Sequence, residues 1–163
     1  MSAVGYYKRP TMLRRRVYDP FMRMLIERWG FTGIFDRRGG DTVQVLSVRG
    51  RRTGRWYHHP VGVCARRGGY YLVGFYGQTQ WARNLRAGSE AKLGNRFAVQ
   101  PIRAVELDGT EKAEFVSWLV NRYRFFARVW LKVNPKRFTD EDLKRLLRDH
   151  PVFRVEALDR SGA

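Results

Sequence analysis

The run Thr42-Val43-Gln44-Val45-Leu46-Ser47-Val48-Arg49-Gly50-Arg51-Arg52-Thr53-Gly54 decides the architecture. From Asp41 the pattern has a period of two, with residues 43, 45 and 47 alternating with 44, 46 and 48, as a strand with two faces requires. Gly50 and Gly54 bound a turn, and Arg55 to Ala65 reads as the returning strand. Arg66-Arg67-Gly68-Gly69 is the next turn. Tyr70 to Tyr76 follows as a third strand, aromatic and apolar on both faces and so expected at the centre of a sheet. Strands joined by such tight turns pair antiparallel.

Outward from this core, Gln80 to Ala87 reads as a short helix with Trp81 and Leu85 one turn apart, closed at Gly88. Gly94-Asn95 signals a hairpin between short strands near Ala91–Leu93 and Arg96–Leu107. Asp108-Gly109-Thr110 leads into a long helix from about Glu111 to Leu131, ended by Asn134-Pro135. Thr139 and Asp142 have the spacing of a capping box and open a helix carrying Leu143, Leu146 and Leu147. Val152 to Leu158 alternates as a final strand. On the other side, residues 1–10 read as an arm and Thr11 to Trp29 as a helix interrupted at Asp19-Pro20. About six strands and four helices predict an α+β fold, a six-stranded antiparallel barrel-like sheet with flanking helices. A single domain over 1–163 is expected: a basic arm and helix (1–40), the barrel strands (41–107), a helical segment (108–150), and a last strand and tail (151–163).

Hydrophobic residues form 44% of the chain, enough to build a core, which excludes general disorder. The longest apolar run, Tyr70–Tyr76, is far short of the roughly 18 residues that mark a membrane-spanning helix. The first residues lack the apolar stretch of a secretory signal. Cys64 is the single cysteine, so no internal disulfide can form, and a reducing, cytoplasmic setting is expected. Lys+Arg of 32 against Asp+Glu of 15 gives a net charge of +17. Such a charge concerns partners rather than fold: it fits nucleic acid, an anionic membrane face or a small polyanionic ligand, and an arginine-rich composition alone also produces it. No RNA-binding or zinc-finger motif is present, so no specific nucleic-acid partner is expected. Thr11–Trp29, with Arg14, Arg15, Arg16, Arg23 and Arg28, fits a helix packed over the barrel or a peripheral contact with the inner membrane face.

Among chemistry-bearing residues, His58-His59 lie on opposite faces of a strand and cannot close on one ion, so no metal site is expected. Cys64 has no base near it in sequence and reads as a small buried thiol. No P-loop, G-x-S-x-G or G-x-G-x-x-G occurs. Gly50-Arg51-Arg52-Thr53-Gly54 can turn backbone amides and two guanidiniums on an anion, or be a plain basic hairpin turn. Gln80-Trp81-Ala82-Arg83-Asn84-Leu85 offers an indole and an amide to a flat heterocycle, or simply faces a core.

In their order, the run Val45–Gly54, Pro60-Val61, Gly68-Gly69 with an apolar strand, Tyr76-Gly77, and Trp81-x-x-Asn84-Leu85-x-Ala87 resemble the deazaflavin (coenzyme F420)-dependent nitroreductase family, over about residues 42–107. The resemblance implies a split β-barrel of the FMN-binding split-barrel kind. It also implies an 8-hydroxy-5-deazaflavin coenzyme with a phosphate and a polyglutamate tail; FMN is the alternative cofactor. By position, Arg51, Arg52 and Thr53 would meet the phosphate and tail, and Tyr57, His58, His59, Pro60 and Val61 would line the next stretch of groove. Gly74, Phe75, Tyr76 and Gly77 would approach the ring or its linker, with Gln80, Trp81 and Asn84 closing that side. Tyr123 and Phe126 match the family's substrate-covering aromatics. Four features depart from the family: Tyr57 replaces a basic residue, Val129 an aromatic, Tyr76-Gly77-Gln78-Thr79-Gln80 is a shortened loop without the family's Lys and Pro, and the segment Arg128–His150 is longer than in compact members.

The implied reaction is hydride transfer from the reduced coenzyme to an electron-poor conjugated acceptor (quinone, enone or nitro compound), with Tyr123 or Tyr76 donating a hydrogen bond or proton. The acceptor is a small molecule, and the chain is expected as a monomer or homodimer. The alternatives are a non-catalytic barrel holding a lipid or hydrophobic ligand at a membrane surface, and an FMN-dependent reductase.

Overall fold

A computed structural model describes residues 42–94 and 99–158. The expected arm and helix at Thr11–Trp29, and the tip of the Gly94-Asn95 hairpin, lie outside the described residues. Six antiparallel strands close into a barrel: β1 (Thr42–Arg49), β2 (Trp56–Arg66), β3 (Gly69–Val73), β4 (Ala91–Gly94), β5 (Val99–Glu106) and β6 (Val152–Ala157). Their order around the ring is β1-β2-β3-β6-β5-β4, and β4 pairs back onto β1. Among the described residues, the longer helices that accompany them are α1 (Gln80–Arg86), α2 (Gly109–Arg122) and α3 (Asp140–Asp149).

Alternation along the strands sorts apolar residues into two layers. Leu46, Val48, Val63 and Leu72 turn inward, and α1 inserts Trp81, Ala82 and Leu85 among them, so the helix plugs one end of the barrel. On the outer face Cys64, Val73 and Val152 meet Phe115, Leu119 and Leu146 from α2 and α3. The two layers share one wall of strands, so the barrel and its helical cover are a single packed body.

The expected strand through Tyr76 ends instead at Val73. There the Gly74 N–H leaves the ladder and donates to the Pro151 carbonyl at 2.8 Å, and the Gly77 N–H donates to the Gly74 carbonyl at 2.9 Å. With Gly77 at φ +83°, the chain turns at once toward α1. The expected helix from Glu111 to Leu131 is likewise interrupted. α2 stops at Arg122, Tyr123 takes φ −115° and ψ 58°, a single turn Arg124–Phe126 follows, and a wide turn Ala127–Leu131 ends at Lys132 with φ 54°. The break lets the Tyr123 ring pack on Val43 of β1 and meet the Trp118 ring edge-on at 5.9 Å. The capping box holds: the Thr139 hydroxyl accepts from the Asp142 N–H at 3.1 Å, and the Asp142 carboxylate accepts from the Thr139 N–H at 3.3 Å. The Thr139 N–H, and its hydroxyl at 3.0 Å, donate to that carboxylate, favour its ionised form and hold Asp142 below its ordinary value.

Candidate functional site

The β1–β2 connection is a tight loop. The Gly50 N–H donates to the Arg55 carbonyl and the Gly54 N–H to the Gly50 carbonyl, both at 2.8 Å. A side chain at Gly50 would begin 2.6 Å from the Tyr57 ring and 2.5 Å from the Thr53 hydroxyl, so glycine lets the phenol lie across the loop. Tyr57 and Thr53 then join through their hydroxyls at 3.1 Å.

Arg51 reaches away from this loop to α1. Its guanidinium donates to the Asn84 side-chain oxygen at 2.7 Å and to that of Gln80 at 3.1 Å, and its backbone N–H also points at Asn84, at 3.3 Å. Asn84 is only 4% exposed, so its carbonyl oxygen is a buried acceptor satisfied by the loop. Arg52 and Arg55 stay exposed, and neither side chain meets a carboxylate among the described residues. Of the candidate residues from the two motifs, Arg51, Gln80 and Asn84 are thereby brought together, with Arg52 and Thr53 on the same loop.

The stretch Tyr57-His58-His59-Pro60-Val61 is divided by strand alternation. Tyr57, His59 and Val61 pair with Val48, Leu46 and Gln44 on the inward face, while His58 and Pro60 pair with Ser47 and Val45 on the outward one. Val61 is buried in the barrel core, whereas toward the Gly50–Gly54 loop His59 is half-buried and Tyr57 exposed. His58 Nδ1 lies 2.8 Å from the Ser47 hydroxyl on the outside. Trp81 is 6% exposed and packs against the Phe153 ring at 5.9 Å, which makes it part of the barrel filling.

The turn Gly74-Phe75-Tyr76-Gly77 runs directly into α1, where Thr79 caps the helix by accepting from the Ala82 N–H. Tyr76 is 47% exposed and stands edge-on to Trp130 at 5.1 Å. The Tyr123 hydroxyl, by contrast, is buried. Phe126 is half-buried and meets the strongly exposed Phe125 edge-on at 6.1 Å. Trp130 was not singled out from the sequence, although it sits at helical spacing from Tyr123 and Phe126, and that period is the signal that marks it.

Two other features escaped the sequence reading. Arg86 of α1 grips Glu106 of β5 through two hydrogen bonds and also donates to the Gln78 side chain, fixing the base of the turn. His150 Nδ1 lies 2.9 Å from the Gly74 carbonyl. Burial chiefly pushes His150 below its ordinary value, against the opposing pull of that hydrogen bond. An open cavity of about 420 Å³ lies elsewhere, lined by Glu106, Leu107, Asp108, Gly109, Lys112 and Leu147. None of these belongs to the expected site, and the Lys112 ammonium there donates to the Leu147 carbonyl at 2.6 Å, tying α2 to the end of α3.

Among the described residues no helix is long and apolar enough to cross a membrane. Comparison with the curated proteins finds no match. Among solved structures, an F420-H2 dependent reductase (FDR-A) is 23% identical, with a TM-score of 0.49 over 70% of this chain and 93% of its own. A structure described as a domain-swapped dimer is 24% identical, with a TM-score of 0.50 over 84% of this chain and 94% of its own. At 24% identity and a TM-score of 0.50, the likeness to the second of these speaks for the fold alone. The family described as F420H(2)-dependent quinone reductase matches residues 29–146, well over half of the chain. The chain belongs to that F420H(2)-dependent quinone reductase family, and is an oxidoreductase that works with coenzyme F420.

Proposed function

We propose that the enzyme passes a hydride from reduced F420 to an electron-poor conjugated acceptor (a quinone, an enone or a nitro compound) along a site running from the Gly50–Gly54 loop to the Gly74–Gly77 turn. The observation that carries this reading is the Arg51–Gln80–Asn84 cluster, which fastens the loop to α1 while Arg52 and Arg55 remain outward. Guanidiniums only donate, and the phosphate and carboxylates of the coenzyme tail accept, so the donor set fits that end of the coenzyme. FMN, with a phosphate but no acidic tail, would use less of it.

When bound, F420 supplies a two-electron hydride donor, and that chemistry is its own. The chain supplies position and polarity. Tyr57 lies across Gly50 and fixes the shape of the loop, and Tyr57 and His59 follow it on the inward face of β2. Tyr76 is assigned the hydrogen bond to charge that develops on the acceptor, because its ring is exposed and a phenol donates without carrying charge. Tyr123, whose hydroxyl is buried, is assigned with Phe126 to the wall of the acceptor side.

The test is quenching of oxidised F420 fluorescence as protein is added, with FMN run in parallel, followed by turnover with a simple naphthoquinone and a nitroaromatic. Saturable quenching with F420 and little response with FMN supports the reading. Tyr76→Phe should then lower turnover about tenfold or more while leaving F420 affinity nearly unchanged. A Tyr76→Phe enzyme as fast as wild type would remove the assigned donor.

A further inference from the structure

The segment that links α3 to β6 closes over the Gly74–Gln78 turn from several directions. The Gly74 N–H donates to the Pro151 carbonyl at 2.8 Å, and the Gln78 side-chain amide donates to the Arg148 carbonyl at 3.4 Å. A Cβ on Gly74 would stand 2.6 Å from the Pro151 ring, and one on Gly77 would stand 3.4 Å from the Asp149 carbonyl. His150 completes the grip at 2.9 Å from the Gly74 carbonyl. A carbonyl oxygen only accepts, so the imidazole carries its proton on Nδ1, and Nε2 is the nitrogen that gains a proton in acid. The Tyr76 ring, two residues beyond Gly74, is thus held by a backbone clamped at both of its ends.

We propose that His150 is a positioning residue for coenzyme binding: through its Nδ1–H bond to the Gly74 carbonyl it fixes the turn that receives the deazaflavin ring. This rests on the placement of the ring at that turn given above. The charged groups that bear on the imidazole are Asp149 and Arg145 of α3 and Lys112 of α2, of which only Asp149 favours its protonation. Burial opposes the imidazolium as well. An acid solution therefore favours opening of the segment so that the charged ring can reach water, and opening releases the turn.

The experiment compares wild type, His150→Asn and His150→Phe by quenching of oxidised F420 fluorescence from about pH 8 to about pH 5. An asparagine amide can donate toward Gly74 and does not titrate; phenylalanine cannot donate. At about pH 8, His150→Phe should bind F420 about tenfold more weakly and His150→Asn within about threefold of wild type. On the acid side wild type should weaken relative to His150→Asn, and the ratio cancels any ionisation of the coenzyme itself. Wild-type affinity in His150→Phe at about pH 8, or a ratio that stays flat with pH, overturns the proposal. Should His150→Phe fail to fold by circular dichroism, the pH ratio alone decides. Arg52→Ala serves as the control: if it weakens F420 binding while the His150 variants do not, the positioning role falls alone, and if it too leaves affinity unchanged, the placement of the coenzyme falls with it.

Discussion

Two glycine-bounded bends flank α1, and they are held in different ways. The Gly50–Gly54 loop is fastened by side chains of the helix itself, Gln80 and Asn84, 29 and 33 residues along the chain from Arg51. The Gly74–Gly77 turn is fastened through its own backbone, by the Pro151 carbonyl and by the His150 ring, 76 residues along the chain from Gly74. The loop can therefore adjust through flexible side chains, whereas the turn is pinned by a ring and by peptide groups that cannot swing aside. On the placement proposed for the coenzyme, the fixed end would hold the planar ring and the adjustable end its acidic tail.

The sharpest way to break this contrast is to add one carbon to each bend. Gly74→Ala forces a methyl to within 2.6 Å of the Pro151 ring and is expected to cost about 2–3 kcal/mol in urea unfolding. Gly50→Ala meets the Thr53 hydroxyl and the ring of Tyr57, which is 41% exposed and can swing out, so about 1 kcal/mol is expected. Equal costs would show that the two bends are equally rigid. Next in size is Asn84→Leu, which leaves the guanidinium and N–H of Arg51 without their buried acceptor and should cost about 1–3 kcal/mol together with weaker F420 binding. Arg52→Ala should leave the unfolding midpoint within about 0.5 kcal/mol of wild type, lower F420 affinity about tenfold, and flatten the dependence of that affinity on salt.

The smallest expected effect is of pH on stability. His150 is held below its ordinary value of 6.5 in the folded chain, so the unfolded chain takes up that proton first. Stability should be full above about pH 6.5 and fall as the solution is acidified toward the folded value, and His150→Asn should remove that part of the decline. The comparison is made by urea midpoints at matched ionic strength.

The same contrast explains what could be read before the structure was in hand. Strand alternation from Val43 to Val48, the glycines of the turns and the Thr139 capping box are local signals, each set by a few neighbouring residues, and they foretold the barrel and most element boundaries. Arg51, Gln80 and Asn84 stood out as candidates because they sit in two short motifs whose order is itself informative. The grip of His150 on Gly74 was not, since nothing in the spacing of either residue announces a partner so far along the chain. The unbroken helix expected from Glu111 to Leu131 failed differently, at Tyr123. Its helical period through Phe126 is real, yet contact of its ring with Val43 and Trp118 overrode the local preference and broke the helix there.

The position of β6 within the ring carries a consequence for biosynthesis. This strand is inserted between β3 and β5, although in sequence it comes after all the others. Until Val152–Ala157 has emerged from the ribosome, β3 and β5 each keep an open rim able to capture a strand from another nascent chain. Final closure thus waits for translation to pass the sixth strand, and stop codons upstream of Val152 should yield aggregates rather than a smaller soluble barrel.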